Sequence, residues 1–402
     1  MRVLQVHTRY RQRGGEDAVV AAEAALLRSS GHEVVELVAD NPRRPGETAV
    51  QLLRAPWNTA AKAEVERLAR EVRPDVAHVH NTWFALSPSV FEGLRSSGVP
   101  VVATLHNYRL VCIAGTLFRD GAPCFDCVGR SPAPGFRHRC YRGSTVLSGV
   151  AAATIAVGRR RRAWHECVDM FLAPSSFSRS LLVQGGLPED RIGVKPHFVA
   201  DPGPRPAPPS ESTALLYVGR LAPGKGVDVL LEAWSRAGTT SLTLTIVGDG
   251  PLRSELERSA PPGVRFTGEL SSHEVSTTMK AARGLVFPSN WPEPFGMVLV
   301  EAMACGLPSV ASDTGATPEV LDTEGSLLVP AGDVDRLAAA IRLLEDAALA
   351  DRAGARARQY YEGRFTPATN LGLLEGCYST VKAEAAGGEA SAAQHQSRAR
   401  RR

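Results

Sequence analysis

Short, nearly all-apolar runs alternate along this chain with longer stretches whose apolar residues recur every three or four positions. RVLQVH (2–7), HEVVELVA (32–39), DVAHVH (75–80) and VPVVATLH (99–106) read as strands. EDAVVAAEAALLRSSG (16–31), with its glycine stop, and residues 60–72 and 87–97 between them read as amphipathic helices. Strands this apolar are buried on both faces, so the alternation predicts a doubly wound parallel sheet. The rhythm fades over 107–143, a stretch rich in Gly, Pro, Cys and Arg that reads as a long ordered insertion. It returns with a helix at 144–163, a strand at 170–175, a helix at 176–185 and a strand at 192–197.

Five prolines in DPGPRPAPPSES (201–212) then break the pattern and mark a linker. A second alternation follows. Strands are expected at 214–219, 241–248, 264–268, 284–289 and 308–312, and helices at 227–237, 251–260, 272–282, 297–305, 333–346, 350–362 and 366–385. The predicted organisation is an N-terminal Rossmann-like domain (1–197) carrying the insertion 107–143, and a hinge (198–212). A second Rossmann-like domain (213–365) follows, then a C-terminal helix (366–385) packing back on the first. The tail 386–402 lacks apolar periodicity and is expected to be disordered. Two facing α/β sheets present their strand C-termini to one cleft, the expected ligand site.

The length of 402 residues agrees with two domains, and 44% hydrophobic residues exclude wholesale disorder. No uninterrupted apolar run reaches the roughly 18 residues of a membrane span, and the first residues lack a signal-peptide pattern. A cytoplasmic protein is expected. The formal charge of +4 hides an asymmetry: +8 over 1–200, −7 over 201–385 and +3 over 386–402. Ten Arg against Asp120 and Asp126 within 109–162 account for the front-half excess and suggest an anionic partner, against a background of solvated arginines. The apolar helix 146–157 is about 18 Å long, too short for a bilayer, and runs into Arg159–Arg162, a contact candidate for an anionic membrane surface or acceptor.

Two stretches carry chemistry. Gly219–Arg220–Leu–Ala–Pro–Gly224–Lys225–Gly226 lies between a strand and a helix and nearly matches a phosphate loop. Glycine stands where the Mg²⁺-binding Ser/Thr would follow the lysine, leaving one guanidinium and one ammonium for a diphosphate. In Trp291–Pro–Glu293–Pro–Phe–Gly296–Met297–Val298–Leu–Val–Glu301, one carboxylate precedes a helix start and another lies about one turn inside it. The amides of Gly296, Met297 and Val298 can hold an anion between them. Two hydroxyl-binding carboxylates flanking an anion site suit a nucleotide sugar. Asp333–Val–Asp335 imitates a metal-binding DxD but follows PAG at a helix start, so Asp333 reads as an N-cap.

These stretches, with VGDGP (247–251) and DTGATPEVL (313–321), occur in an order and spacing that resemble the donor domain of the family 4 retaining glycosyltransferases, which have the GT-B fold. RGGEDAVV (13–20), DVAHVHN (75–81) and TLHNYRL (104–110) resemble the family's front half. The resemblance spans about residues 1–380. It implies a nucleotide diphosphate sugar as co-substrate, a hydroxyl acceptor (glycan, small molecule or lipid-phosphate-linked), same-face displacement, no catalytic metal and no nucleic-acid partner. It implies that Arg220 and Lys225 neutralise the diphosphate, Glu293 binds the transferred sugar and Glu301 the ribose. The amides of Gly296, Met297 and Val298 complete the site, Gly15 lets backbone approach the diphosphate, and His106 lies near the anomeric centre. The rivals are a GT-B 2-epimerase of nucleotide sugars and a non-catalytic carbohydrate-binding protein. Intact Glu293, Arg220 and Lys225 argue against the second.

Cys112, Cys124, Cys127 and Cys140 form C-x11-C-x2-C-x12-C inside the basic insertion. That spacing suits a structural tetrahedral Zn²⁺, with free thiols or a redox pair as the alternatives.

Overall fold

In the computed structural model, residues 1–10, 14–41 and 45–399 are described. The strands are β1 (Arg2–Arg9), β2 (Glu33–Asp40), β3 (Val76–Asn81), β4 (Val101–Thr104), β5 (Phe118–Arg119), β6 (Ala122–Pro123), β7 (Met170–Ala173) and β8 (Ile192–Val194). Those of the second half are β9 (Ala214–Val218), β10 (Thr243–Val247), β11 (Val264–Gly268), β12 (Gly284–Phe287), β13 (Ser309–Asp313) and β14 (Ser326–Pro330). They form two six-stranded sheets, ordered β2-β1-β3-β4-β7-β8 and β11-β10-β9-β12-β13-β14, and a small β5-β6 hairpin. Both large sheets are parallel throughout. This is the expected pair of Rossmann-like sheets, the GT-B arrangement.

The reason lies in the strand residues. Leu4, Val6, Ala77, Val79, Val101 and Ala103 are buried in one core cluster, and Leu215, Tyr217, Leu244, Ile246, Val286 and Val310 in its counterpart. Continuous apolar strands need helices on both faces, which the βα alternation supplies. Each strand order reverses beside its first strand, at β1/β3 and at β9/β12. Loops diverge there and open a crevice at the strand C-termini.

Several elements depart from the periodicity reading, among them the short helices Ala163–Cys167 and Thr317–Val320. A helix at Pro45–Arg54 was not predicted, and neither was β14, whose run SLLVP is too short to separate from loop by pattern. The last helix runs Pro367–Ala399, so its backbone enters the 386–402 stretch expected to be disordered. Ala, Glu and Gln keep helix propensity high there without an apolar stripe, and residues 400–402 lie outside the described residues. Before that, Leu374, Tyr378 and Val381 of this helix pack on Val3, Val76, Val102 and Leu172 of the first sheet. Lys382 and Glu375 tie it to Asp75 and His32.

The proline-rich linker is stitched to the second half of the chain. Arg205 donates to the carbonyls of Gly306 (2.9 Å) and Ala282 (2.8 Å), and Arg358 forks onto Asp201 at 2.7 Å. Asp333 caps the helix Val334–Leu343 by accepting from the Arg336 amide at 2.9 Å, as its position after PAG predicts.

Candidate active site

A cavity of about 390 Å³ lies between the two sheets at their strand C-termini. On the first-sheet side it is lined by Gly15 and Glu16 after β1, His106 and Asn107 after β4, and His197 after β8. On the second-sheet side it is lined by Lys225 after β9 and by Trp291, Glu293 and Gly296–Val298 after β12.

Glycine lets the second-sheet loops meet. Gly226 has φ +68°, and a Cβ on it would lie 1.8 Å from the Pro288 carbonyl oxygen. That approach lets the Gly224 carbonyl accept from the Asn290 amide at 2.8 Å. Gly315 has φ +60°, and a Cβ there would sit 2.3 Å from the Glu293 nitrogen; its neighbour Ala316 donates to the Glu293 carbonyl at 2.9 Å. The three loops named by the sequence therefore hold one carboxylate.

Glu293 is buried. Its Oε1 accepts from Lys225 Nζ at 2.6 Å and from Ser289 Oγ at 2.9 Å. Lys225 Nζ also stands 4.3 Å from the Trp291 ring centre, a cation–π contact. Gly296 (φ +90°) is the N-cap of the helix Met297–Ala304, which directs the first amides and the positive end of its dipole toward the cavity rim. Glu301, within that helix, does not line the cavity, and burial raises its carboxyl above the ordinary range. Arg220 is exposed at the loop and does not line it either.

On the first-sheet side, Gly15 opens the helix Gly15–Ser29 and faces Met297 across the cleft. A Cβ on it would meet only Met297 Cγ at 3.8 Å, so nothing in the protein excludes a side chain there. Beside it, Glu16 was missed by the sequence reading, although GGED was in view. Its Oε2 accepts from Tyr10 Oη (3.1 Å) and Asn107 Nδ2 (3.0 Å), its Oε1 has no partner, and burial pushes the carboxyl up to about 7. The nearby Arg109 guanidinium opposes that shift. Its own Cζ lies 5.8, 5.4 and 5.3 Å from the ring centres of Tyr10, Trp83 and Tyr141.

His106 belongs to a stack. Its ring centre lies 5.3 Å from that of His80 and 5.0 Å from that of His197. Burial holds His80 and His106 well below the ordinary imidazole range and pushes His197 down to about 3, so all three are neutral. Beneath them, Lys195 Nζ reaches Glu23 Oε1 at 2.5 Å. Among the described residues, Glu23, His78 and His80 form a group with metal-ligand spacing. Lys195 already supplies the positive charge that the buried carboxylate requires.

The four insertion cysteines converge. Cys112, Cys124, Cys127 and Cys140 line one cavity of about 20 Å³ together with Arg119. All four are free thiols, and burial raises Cys127 and Cys140. Their sulfurs are not drawn into a group with the metal-ligand spacing of Glu23, His78 and His80. The adjoining β5-β6 hairpin reaches the second half of the chain, where a Cβ on Gly224 would come 3.0 Å from Phe118 Cε1.

Two family models match: Glycosyltransferase Family 4 over residues 13–201 and Glycosyl transferases group 1 over 212–346. The 2-deoxystreptamine glucosyltransferase of Streptomyces kanamyceticus is 30% identical over 346 residues, 80% of this chain and 82% of that protein. The phosphatidyl-myo-inositol mannosyltransferase of Mycolicibacterium smegmatis is 29% identical over 371 residues, 86% and 84% of the two chains. Among solved structures, Anabaena Alr3699/HepE in complex with UDP superposes with a TM-score of 0.68 at 19% identity, covering 94% of this chain and all of that one.

Proposed function

The chain belongs to glycosyltransferase family 4, and from that premise we propose that its cleft moves a sugar from a nucleotide diphosphate sugar to a hydroxyl acceptor with retention of anomeric configuration. The observation that carries the reading is the Lys225–Glu293 pair at 2.6 Å, facing the cavity beside an open helix N-terminus. Lys225 and the helix amides supply positive potential for a diphosphate. Glu293 is positioned by Lys225 and Ser289 to accept from sugar hydroxyls, which suits a binding carboxylate better than a free nucleophile. Arg220 and Glu301, which do not line the cavity, are assigned to the diphosphate and the ribose. In the transfer step the acceptor oxygen bonds to the anomeric carbon as the bond to the phosphate oxygen breaks. The acceptor's proton goes to that departing oxygen on the same face. No catalytic metal is assigned.

Acceptor and location rest on the first half of the chain. HepE binds UDP in its complex, and the M. smegmatis relative is a phosphatidyl-myo-inositol mannosyltransferase. Exposed Phe136 and Val146 stand among exposed Arg137, Arg139 and Arg142, a composition suited to an anionic membrane surface or a phosphate-bearing acceptor. No helix among the described residues is long and apolar enough to cross a membrane.

The deciding experiment measures nucleotide diphosphate release and thermal shift with GDP-mannose and UDP-glucose. Glu293→Ala and Lys225→Ala are expected to lower turnover by a hundredfold or more. Lys225→Ala also costs stability, because it leaves a buried carboxylate with Ser289 alone. Near-normal turnover in folded Glu293→Ala overturns the assignment.

The cysteine quartet is assigned a structural Zn²⁺, supported by its convergence on one small cavity. Tetrahedral binding requires the thiols to close in and ionise. Protein purified without chelator is expected to carry about one equivalent by elemental analysis. Less than half an equivalent counts against it.

A further inference from the structure

The stacked histidines define a direction. Gln5 Nε2 lies 3.2 Å from the Val20 carbonyl oxygen and 3.2 Å from His80 Nε2. The amide nitrogen faces the carbonyl oxygen, which orients the Gln5 side chain with its Oε1 buried and unpartnered, and at 3.2 Å, nearer than Glu23 Oε2 at 3.8 Å, Gln5 Nε2 makes His80 Nε2 an acceptor. A neutral imidazole that accepts at one nitrogen carries its proton on the other. His80 Nδ1 therefore donates to His106 Nε2 at 3.0 Å. By the same rule His106 Nδ1 donates to His197 Nε2 at 3.4 Å. Both nitrogens of His106 are thus occupied inside the protein. The proton of the terminal ring lies on His197 Nδ1, which is buried and has no partner.

His197 is 4% exposed, lines the cavity and packs edge-on against Phe295 at 5.0 Å between ring centres, beside the helix N-terminus at Gly296. A buried N–H without a partner carries an uncompensated desolvation cost and is retained where a ligand completes it. We propose that His197, oriented through the relay Gln5–His80–His106, donates its Nδ1 proton as a hydrogen bond to an oxygen of the bound nucleotide sugar. His106 then acts as the positioning residue behind it. Because the ring is desolvated, with the Lys195 ammonium close by, this donor stays neutral across the working pH range and never competes as a cation for the diphosphate. The shared chemistry is an oxygen lone pair, from either the diphosphate or a sugar hydroxyl. The proposal rests on reading the cleft as a nucleotide-sugar site.

Two measurements separate its failure from failure of that reading. In ligand-free protein labelled with ¹⁵N-histidine, the expectation at pH 7 is neutral His106 and His197, each protonated at Nδ1. Protonation of either at Nε2 overturns the relay without touching the family reading. The second measurement compares the affinities of GDP, UDP, GDP-mannose and UDP-glucose for natural protein, His197→Phe and His197→Asn. His197→Phe keeps the ring packing against Phe295 and loses the donor, and is expected to weaken binding by about tenfold. Loss toward the free diphosphates and the sugars alike assigns a phosphate oxygen, and loss toward the sugars alone assigns a sugar hydroxyl. His197→Asn, which retains an N–H, is expected to recover part of the affinity. Unchanged affinities in folded His197→Phe overturn the proposal. Failure of the natural protein to bind any of the four overturns the nucleotide-sugar reading and the proposal with it.

Discussion

Gly15 differs from the glycines that the fold requires. A Cβ at Gly226 or Gly315 collides with backbone, whereas one at Gly15 makes an ordinary contact with Met297. Gly15→Ala is therefore expected to leave the melting temperature within a degree or two and to lower nucleotide-sugar affinity by about tenfold or more, since only a ligand needs the space. Parallel loss of stability and affinity would place the constraint in the fold instead. Glu16 shows the complementary case. GGED was legible, but a carboxylate beside two glycines reads as a helix cap until burial, an unpartnered Oε1 and a place in the cavity distinguish it. Arg109 counted toward a basic surface in the sequence, and folding cages it between three aromatic rings.

At the scale of elements, strand ends do most of the positioning. β3, which carries His80, and β4, which ends two residues before His106, are hydrogen-bonded neighbours, so the two histidines stack without any local sequence signal. The consequence is a pH dependence. His78 is pushed down to about 4 and His197 to about 3, and His80 and His106 also lie well below the ordinary range, all chiefly through desolvation. The unfolded chain takes up these protons near pH 6.5 and the folded chain does not. Their contribution is thus present above about pH 6.5 and is lost as pH falls toward 4, by up to about 1.4 kcal/mol per histidine per pH unit. Glu23, also held below its ordinary range, acts in the same direction, and Glu16, raised to about 7, opposes it. Thermal melts are expected to be flat from pH 7 to 8 and to fall steeply from 6.5 to 4.5. An unchanged melting temperature over that acidic interval would mean the stack is solvated.

At the scale of the whole molecule, the charge asymmetry persists but shrinks. Arg159 is spent on the carbonyls of Arg130 and Leu110, Arg119 on Asp126, and Arg161 over the Trp57 ring at 4.4 Å. What faces solvent includes Phe136 with Arg137, Arg139 and Arg142 on the insertion whose hairpin approaches Gly224, and Arg130 and Arg160–Arg162 nearby along the chain. Cosedimentation at low salt is expected to favour vesicles with 30% anionic lipid over neutral ones by about tenfold or more, and to lose that preference near 0.5 M salt. Equal binding to both vesicle types would reduce the excess to composition bias.

By itself the sequence determined the two parallel sheets, the break between them and the donor-side loops. Those features are written in local periodicity and in short runs where glycine, lysine and glutamate lie close along the chain. Only the tertiary structure decided which groups share one cavity. Glu16, His106 and His197 stand far apart in sequence and line one cavity because β1, β4 and β8 of one parallel sheet end on the same edge of it. Desolvation there, which no local pattern records, sets their protonation and leaves His197 Nδ1 without a partner at the cleft.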